Sequence, residues 1–278
     1  ENLDCKVIFS ALPSSVAGDL ELSLVERGFI VLTNASSHRM DDNVPLVIPE
    51  VNPDHINLIK QEQRSENHKG FIVANPNCST IQLALAVKPI QDAFGIKRMT
   101  IVTLQALSGA GYKGVGALEA ADNIIPFIPG EEEKIEKEML KIFGRVTENG
   151  IENEKITLSA SCNRVNVSDG HLENISIELD EKCDLAELKN CLEEFTGEPQ
   201  KLDLPTAPRK PIILSKIPDR PQPRIELDNK DPMSVHVGRV RKDPILDYKL
   251  IILGHNTIRG AAGASVLNAE LLHSEGYL

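Results

Sequence analysis

The N-terminal stretch CKVIFSALPSSVAGDLELSLVERGFIVLT (5–33) holds an apolar run, an amphipathic stretch and a second apolar run in close succession. The run from Cys5 to Leu12 ends in small residues, which is typical of a strand buried on both faces of a parallel sheet. Ser14 and Ser15 are suited to cap a helix, and Gly28 is suited to end it before a second strand at 29–33. The apolar face of this helix is predicted to comprise Leu20, Leu22, Leu24 and Val25. The stretch therefore predicts a βαβ unit.

Short polar residues follow both predicted strands, at 10–15 (SALPSS) and 34–37 (NASS). Ligands of open α/β sheets bind at the carboxyl ends of strands, so a ligand-binding edge and ordinary polar turns are equally good explanations. The first hundred residues contain no GxGxxG pattern. We therefore expect the first strand and phosphate loop of a dinucleotide-binding domain to lie upstream of Glu1.

The composition excludes several classes of protein. With 278 residues, 41% of them hydrophobic, the chain is long enough for about two domains with a sizeable core. A net charge of -11 argues against a nucleic-acid partner, and any anionic ligand must meet locally placed cations. Since apolar runs stay below the roughly 18 residues that cross a bilayer, and the first residues do not resemble a signal peptide, we expect a soluble, cytoplasmic protein without a membrane partner.

The cysteines do not form a metal or disulfide pattern. They are five in number, contain no CxxC pair and are widely spread, at Cys5, Cys78, Cys162, Cys183 and Cys191. We expect free thiols and no metal site. Most reduced cysteines are inert core residues, so a reactive one has to be identified by its surroundings.

One cysteine has such surroundings. An apolar strand at 70–74 runs into the turn NPNCST (75–80), which is followed by an amphipathic stretch at 81–94. This pattern places Cys78 at a helix N-terminus, where unpaired N–H groups and the helix dipole favour the thiolate. Asn77 and Ser79 add short polar side chains beside it.

The remainder of the chain predicts a second kind of sheet. Strands are predicted at 99–107, 155–167, 171–179, 235–240 and 248–253, and helices at 131–143, 184–195 and from about 256 to 272. Alternating polarity at 155–167 and 171–179 is typical of an antiparallel or mixed sheet with one covered face.

Further candidate site residues are weaker when taken alone. Arg164 lies on a predicted strand, and His171 follows an Asp-Gly turn, but either could be an ordinary surface residue. Gly109 and Gly111 would let backbone approach a flat ligand, or could form an ordinary loop. The acidic run at 131–133 would equally suit a solvated helix start.

Several long motifs together resemble one family. They stand in order along nearly the whole chain: NPNCST (75–80), QALSGAG (105–111), NIIPFIPGEEEK (123–134), Arg164 with His171, and NTIRGAAGASVLNAE (256–270). The chain resembles the aspartate-semialdehyde dehydrogenases, specifically their archaeal and fungal branch. It departs from them at the front, where the family's glycine-rich nucleotide loop has no counterpart.

The resemblance implies a role for each matching residue. Cys78 would be the nucleophile and His171 the acid/base, while substrate would be held by Asn77, Gln105, Glu131, Lys134 and Arg164, with Lys134 meeting inorganic phosphate. The register along the Glu run is open by one residue. The cofactor, NADP as NADPH, would be bound by Ser10, Asn34, Ser108, Gly109 and Asn256. The implied reaction forms a Cys78 thioester from β-aspartyl phosphate and reduces it to aspartate semialdehyde, for the biosynthesis of lysine, threonine, methionine and isoleucine.

The implied fold class is α/β, with a doubly wound nucleotide-binding domain that is incomplete at its N-terminus and an α+β catalytic and dimerisation domain with a mixed sheet. The domain bounds predicted are 1–78 with 254–278 for the first domain and 79–253 for the second. The catalytic sheet is the expected contact of a homodimer or homotetramer.

Two alternatives remain open. A malonyl-CoA reductase resembles this branch so closely that the same Cys, His and Arg would serve a CoA thioester; the candidate phosphate ligand Lys134 favours the acyl phosphate. The other alternative is a non-catalytic binding or assembly module. The presence of Cys78, Arg164 and His171 argues against it.

Overall fold

The computed structural model describes residues 4–60, 70–227 and 231–278. The strands are β1 (Val7–Ser10), β2 (Ile30–Thr33), β3 (Phe71–Ala74), β4 (Ile96–Gln105), β5 (Ile124–Ile125), β6 (Arg145–Thr147), β7 (Gly150–Glu152), β8 (Thr157–Val165), β9 (His171–Leu179), β10 (Ile212–Leu214), β11 (Val235–Lys242) and β12 (Tyr248–Gly254). The α-helices are α1 (Ser14–Glu26), α2 (Cys78–Phe94), α3 (Ala117–Ala120), α4 (Glu131–Ile142), α5 (Leu185–Glu193), α6 (Glu198–Lys201), α7 (Pro223–Glu226) and α8 (Gly263–Ser274). Single turns of 3-10 helix occur at Pro53–Asn57 and Leu107–Ala110, and a π-helical turn at Ile258–Ala262 precedes α8.

The first sheet confirms the predicted βαβ unit. Strands β1, β2 and β3 are parallel and adjacent in that order, with α1 connecting the first two. Helix α8, at the other end of the chain, packs against β2, so the N-terminal and C-terminal segments are in contact. The predicted fold class, a nucleotide-binding α/β domain with a second, mixed-sheet domain, is confirmed.

Three details of the βαβ unit differ from the prediction. β1 covers only Val7–Ser10, four residues of the predicted run from Cys5 to Leu12. In α1 the buried residues are Ala17, Glu21 and Val25, which are spaced by four, so Leu20 and Leu22 lie off this face and are about half exposed. The helix also lacks a serine cap, since Pro13 occupies the cap position.

The second sheet has seven described strands in the order β10-β11-β12-β9-β4-β8-β5. Pairing is parallel for β4 with β8 and for β10 with β11, and antiparallel for the other neighbours, so the sheet is mixed as predicted. One face packs against α2, α4 and α5. The other face is open, with side chains of Thr100, Val102, Asn174 and Ser176 around a shallow groove.

Helix α2 is central rather than amphipathic, which corrects the prediction for 81–94. Its residues from 79 to 87 are all buried, because the helix is enclosed by the seven-stranded sheet, α4, α5 and the π-helical turn. A helix that is apolar all round is typical of such a central position. Burial on every side fixes its N-terminus, and with it Cys78.

The predicted domain bounds stay a prediction, and residues 1–3, 61–69 and 228–230 within them lie outside the described residues. Among the described helices none is both long and apolar enough to cross a membrane.

Candidate active site

The turn before α2 positions Cys78 through a side-chain cap. Asn77 is the N-cap residue, and its Oδ1 accepts hydrogen bonds from the backbone N–H groups of Ser79 (2.9 Å) and Thr80 (3.2 Å). Such caps stabilise a helix by about 1 kcal/mol. Cys78 is therefore the first residue of the helix, and its Cβ faces Gly260, where any larger residue would bring a Cβ to 2.7 Å.

The strand register gathers the other candidate residues into one row across the seven-stranded sheet. Gln105 on β4 is paired with Arg164 on β8, and His171 on β9 is paired with Gly254 on β12. Leu104 is paired with the residue after His171, so Gln105 is the next neighbour of His171. We call His171, Gln105 and Arg164 the catalytic row. Paired residues of neighbouring strands project to the same face, so all three reach one side of the sheet.

His171 is fully buried, and a backbone hydrogen bond determines which of its ring nitrogens carries the proton. Nδ1 accepts the N–H of Ala106 at 3.1 Å, while Nε2 has no partner among the described residues. Burial, and then the charge of Arg164, lowers the pKa of His171 to about 3. Because Nδ1 is an acceptor, the neutral ring carries its proton on Nε2.

Gly109 lies directly over this row. A Cβ there would lie 2.8 Å from Arg164 Nη1 and 2.9 Å from His171 Nε2. Glycine is required at this position for space, and it separates the buried His171 side chain from the cavity by backbone alone. Arg164 itself donates from Nη1 to the carbonyl of Ala106 at 2.7 Å.

Glu131, the residue of the Glu run that is predicted to hold substrate, links the catalytic row to the Cys78 turn. Its carboxylate accepts from Asn77 Nδ2 (2.8 Å), Gln105 Nε2 (3.4 Å) and Lys134 Nζ (2.8 Å). Glu131 is buried, whereas Glu133 is exposed. Burial opposes ionisation of Glu131, but the Lys134 charge and these hydrogen bonds outweigh it and hold its pKa below the usual value. The run is therefore not merely a solvated helix start.

Arg39 is a second cation beside Cys78 that the sequence reasoning missed. Its Nη1 donates to Glu138 Oε1 (2.9 Å) and its Nη2 to the carbonyl of Asn34 (2.7 Å), while Nε has no partner in the described chain. Glu138 Oε2 in turn accepts the backbone N–H of Asn77 at 2.6 Å. Burial raises the pKa of Glu138, with the Arg39 charge acting in the opposite direction. The only local signal was the position of Arg39, five residues after Asn34 at the end of β2.

The Cys78 thiol is protonated at rest, contrary to the expectation of a thiolate. Burial, followed by the negative charge of Glu131, raises its pKa to about 12, although Arg39 and the N–H of Ser79 act to lower it. The helix N-terminus is therefore outweighed by desolvation. Ionisation of the thiol has to be coupled to substrate binding or to bond formation.

A cavity of about 300 Å³ connects these groups. Of the predicted residues it is lined by Asn34, Asn77, Cys78, Ser108, Gly109, Glu131, Lys134 and Asn256. Arg164 lines a neighbouring cavity of about 410 Å³ that shares Gly109 and Glu131 with the first. Gln105 and His171 form the buried wall behind Gly109.

Ser10 is the predicted residue that the structure does not bring to the cavity. Its hydroxyl is buried and donates to Glu21 Oε1 at 2.5 Å. Ser14 and Ser36 line the cavity instead, and they contact each other through their hydroxyl groups at 2.9 Å. They belong to the two polar strand-end segments that the sequence singled out, so the segments were informative although Ser10 was not.

The cavity residues fit a dinucleotide at two ends. At the end near Cys78, Asn256 donates to Ser108 Oγ (2.9 Å) and accepts the N–H of Gly170 (2.8 Å), which fixes a flat polar wall beside Gly109. At the other end lie Ser14 and Ser36, at the carboxyl edge of the parallel sheet where nucleotides bind. Within the described residues no group of three or more His, Cys, Asp and Glu could hold a metal ion.

A half-buried thiol, a neutral histidine, local cations and the carboxyl edge of a parallel sheet are groups that suit a nucleotide-dependent oxidoreductase with a thiol nucleophile. Comparison with known proteins agrees. Residues 87–259 match the family model "Semialdehyde dehydrogenase, dimerisation domain", and residues 1–59 match "Semialdehyde dehydrogenase, NAD binding domain".

Individual relatives narrow the class. The chain is 50% identical over 275 residues to an aspartate-semialdehyde dehydrogenase of Archaeoglobus fulgidus, covering 99% of this chain and 79% of the relative. A crystal structure of the Candida albicans aspartate-semialdehyde dehydrogenase with NADP superposes with a TM-score of 0.91 at 42% identity, over 99% of this chain and 79% of the other. A malonyl-CoA reductase (NADP) of Metallosphaera sedula is 40% identical over 279 residues, covering 99% and 78%. The chain belongs to the aspartate-semialdehyde dehydrogenase family.

Proposed function

We propose that the protein reduces β-aspartyl phosphate to aspartate semialdehyde with NADPH, through a thioester on Cys78. The observation that carries this proposal is the position of two cations, Arg39 and Lys134, in the same 300 Å³ cavity as the Cys78 thiol. An acyl phosphate brings a dianion next to the carbon that the thiol attacks, whereas a CoA thioester has no phosphate at that carbon. The cavity therefore favours an acyl phosphate over malonyl-CoA.

The catalytic row binds the amino-acid end of the substrate in this proposal. Arg164 and Gln105 hold the α-carboxylate, because a buried guanidinium and an amide N–H are donors suited to carboxylate oxygens. Glu131, which is held in its ionised form by Lys134 and the amides of Asn77 and Gln105, orients the substrate's ammonium group. The α-carboxylate of the substrate thus meets the positive charge of Arg164, and its ammonium group meets the negative charge of Glu131.

Arg39 and Lys134 bind the phosphate end. The free Nε–H of Arg39 and the partly exposed ammonium of Lys134 offer donors in the cavity. Their charges are local and partly desolvated, so the net charge of -11, which is screened by solvent and salt, does not prevent anion binding.

The first chemical step releases phosphate. Cys78 Sγ forms a bond to the acyl carbon, the bond from that carbon to the phosphate oxygen breaks, and the proton lost by the thiol passes to the departing phosphate. Bound cations stabilise the thiolate as it forms, which offsets the burial that raises the Cys78 pKa to about 12.

His171 acts in this proposal as a donor from Nε2. The Ala106 N–H at Nδ1 and a pKa of about 3 support a neutral ring whose Nε2–H stabilises negative charge on the substrate oxygen. This narrows the acid/base role inferred from the sequence, because the ring holds its proton at Nε2 at rest and is poorly suited to remove the thiol proton.

NADPH would be held by Asn256, Ser108 and Gly109 near Cys78 and by Asn34, Ser14 and Ser36 at the sheet edge. When bound, it supplies the hydride that reduces the thioester carbonyl. Asn256 and Ser108 orient the ring through their mutual hydrogen bond, and His171 donates to the carbonyl oxygen during the reduction.

The match of residues 87–259 to the family's dimerisation domain supports an oligomer. We propose a homodimer that forms through the open face of the seven-stranded sheet, where Val102 is 40% exposed although it lies mid-strand. Covering such a face would bury apolar surface that is otherwise in water.

The test is phosphate-dependent reduction of NADP by aspartate semialdehyde, using the full-length protein, with malonyl-CoA plus NADPH as the parallel assay. We expect semialdehyde turnover that requires phosphate, and a phosphate KM about tenfold higher in Lys134→Met. Lys137→Met, an exposed lysine on the same helix, is the matched control and should leave KM unchanged. Turnover of malonyl-CoA alone would move the function to the CoA reductase.

A further inference from the structure

A carboxyl group that the proposed mechanism does not use lies beneath the catalytic row. Glu173 follows His171 by two residues on β9, so both side chains project to the same face of the sheet. Glu173 is paired with Thr103 on β4 and with Ile252 on β12, and Thr103 is paired with Cys162 on β8. Glu173 is fully buried.

Gln82 connects this carboxyl to the nucleophile helix. It lies one turn after Cys78 on α2, and its Nε2 donates to both Glu173 Oε1 (2.6 Å) and the carbonyl of His171 (2.8 Å). One amide group therefore bonds the strand that carries His171 at two points. This bond joins the two elements that carry the thiol and the imidazole.

The fit around Gln82 is tight. A Cβ at Gly254, the cross-strand partner of His171, would lie 2.2 Å from Gln82 Oε1 and 3.0 Å from its Cβ. β12 therefore approaches Gln82 as closely as only glycine permits. The amide is confined between α2, β9 and β12, which limits it to the observed orientation.

Glu173 has no cation to compensate its charge in the described chain. Burial raises its pKa to about 8, and the hydrogen bond from Gln82 is the opposing influence. Its Oε2 has no partner among the described residues. The titratable groups on which its charge acts are Cys78 on α2 and Cys162 on β8, and His171 lies two residues away on β9. Ile252 and Thr103, its neighbours on β12 and β4, do not titrate in this range.

We propose that Gln82 and Glu173 are a positioning pair for the reaction: the hydrogen bonds that Gln82 donates to Glu173 and to the His171 carbonyl hold the Cys78 helix against the strand that carries His171. Neither residue touches substrate. The inference rests on the proposed function for its kinetic test, and on the reactivity of Cys78 alone for its second test.

Ionisation of Glu173 acts on the thiol in a defined direction. A carboxylate at this position raises the pKa of Cys78, so it disfavours the thiolate that attacks the substrate. An amide at position 173 keeps the acceptor for Gln82 but cannot ionise. The conservative variant Glu173→Gln therefore separates the effect of position from the effect of charge.

The kinetic test compares Glu173→Leu, Gln82→Leu and Glu173→Gln. For the first two we expect kcat to fall about 10- to 100-fold with KM within about threefold, since misplacing reacting groups lowers turnover more than binding. Glu173→Gln restores kcat at pH 7 and removes the wild-type decline of kcat above about pH 8.

The matched control is Gln91→Leu. Gln91 lies on the same helix, near its C-terminal end, and accepts the backbone N–H of Ile96 at 2.8 Å. Its loss should alter stability without changing kcat or the pH profile. An equal loss of kcat in Gln91→Leu and Gln82→Leu, or wild-type kcat in Glu173→Leu, overturns the proposal.

The second test needs no substrate. The rate of Cys78 alkylation by iodoacetamide is followed against pH by mass spectrometry of the peptide containing Cys78, with Cys78→Ser as the blank. Above pH 8 we expect Glu173→Gln to be alkylated about threefold faster than wild type at the same pH. Identical profiles overturn the proposal. If alkylation differs but the semialdehyde assay is silent, the proposed function fails and the positioning pair stands.

Discussion

Glu50 and Glu173 are both buried glutamates, and their surroundings differ in one respect. Glu50 receives two hydrogen bonds from Arg259, each 2.7 Å, from Nη1 to Oε1 and from Nη2 to Oε2, with both side chains fully buried. Glu173 receives one hydrogen bond, from the uncharged Gln82. A buried carboxylate that is paired with a cation has a structural role, whereas a buried acid without a cation can change its protonation state.

The difference extends to the regions around them. Around Glu50 the chain is closed, and a Cβ at Gly197 would lie 2.7 Å from the Glu50 backbone. Around Glu173 and the cavity, polar atoms without partners in the described chain include His171 Nε2 and Arg39 Nε. Arg259 Nε, beside Glu50, also lacks a partner in the described chain, but neither Arg259 nor Glu50 lines the cavity, whereas Arg39 does.

The largest effect should come from removing the nucleophile. Cys78→Ser should lower turnover by about 10⁴-fold or more, because a serine hydroxyl is far less acidic and less nucleophilic than a thiol. Cys183→Ser, outside the cavity, should keep activity within about twofold. Steady-state assays of both variants check this, and equal activity of wild type and Cys78→Ser would exclude the thioester mechanism.

Breaking the ion pair between Glu50 and Arg259 should lower the free energy of unfolding rather than the activity. Arg259→Met leaves Glu50 buried and unpaired, so we expect a loss of about 3–5 kcal/mol in the free energy of unfolding. Urea denaturation measures it. The double variant Glu50→Leu with Arg259→Met should recover much of the loss, and the phosphate KM of the folded single variant should stay within about twofold. A changed phosphate KM with unchanged stability would contradict the structural role that we assign to the Glu50–Arg259 pair.

Arg39→Lys tests the charged pair that lies inside the cavity. Lysine keeps the charge, but its single nitrogen cannot replace the separate Nη1, Nη2 and Nε positions of the planar guanidinium, so we expect the phosphate KM to rise about 10- to 100-fold. Unfolding free energy should change by about 1 kcal/mol or less. A stability loss as large as that of Arg259→Met, with a normal phosphate KM, would show that Arg39 has a structural role like that of Arg259 and does not bind phosphate.

The smallest effect concerns the pH dependence of stability. The raised pKa of Glu173, about 8, means that the folded chain binds one more proton than the unfolded chain between about pH 4.5 and 8, so wild-type stability falls as pH rises through this range. Glu173→Gln removes that fall, so its stability relative to wild type should increase as the pH rises from 5 to 8.

Glu178→Gln is the control for this measurement. Glu178 is on the same strand, and its pKa is lowered by hydrogen bonds from Arg98 and Lys97. Its contribution is present above the unfolded pKa and is lost as pH falls, so this variant should not gain on wild type between pH 5 and 8. Denaturation curves at several pH values check both variants. If the unfolding free energies of Glu173→Gln and wild type change with pH in the same way, Glu173 does not have the raised pKa of a buried acid without a cation.

The local patterns of the sequence predicted the fold and much of the site. The βαβ unit, the strand–turn–helix around Cys78 and the alternating strand at 171–179 were confirmed, because each depends on residues that are close in the chain. The failures have a common cause. The burial of α2 on all sides and the exposure of Leu20 depend on which elements pack beside them, which local periodicity does not encode.

The sequence by itself determined the order of the motifs and the identity of the reactive groups, since these are properties of the residues and their spacing. Tertiary structure decided the ionisation of those groups. Glu138 contacts Arg39 from 99 residues away, Gln82 contacts Glu173 from 91 residues away, and burial makes Cys78 a thiol where the helix terminus alone would favour a thiolate. The physical reason is that desolvation and the Coulomb interaction act through space, so they are fixed only when distant segments pack together.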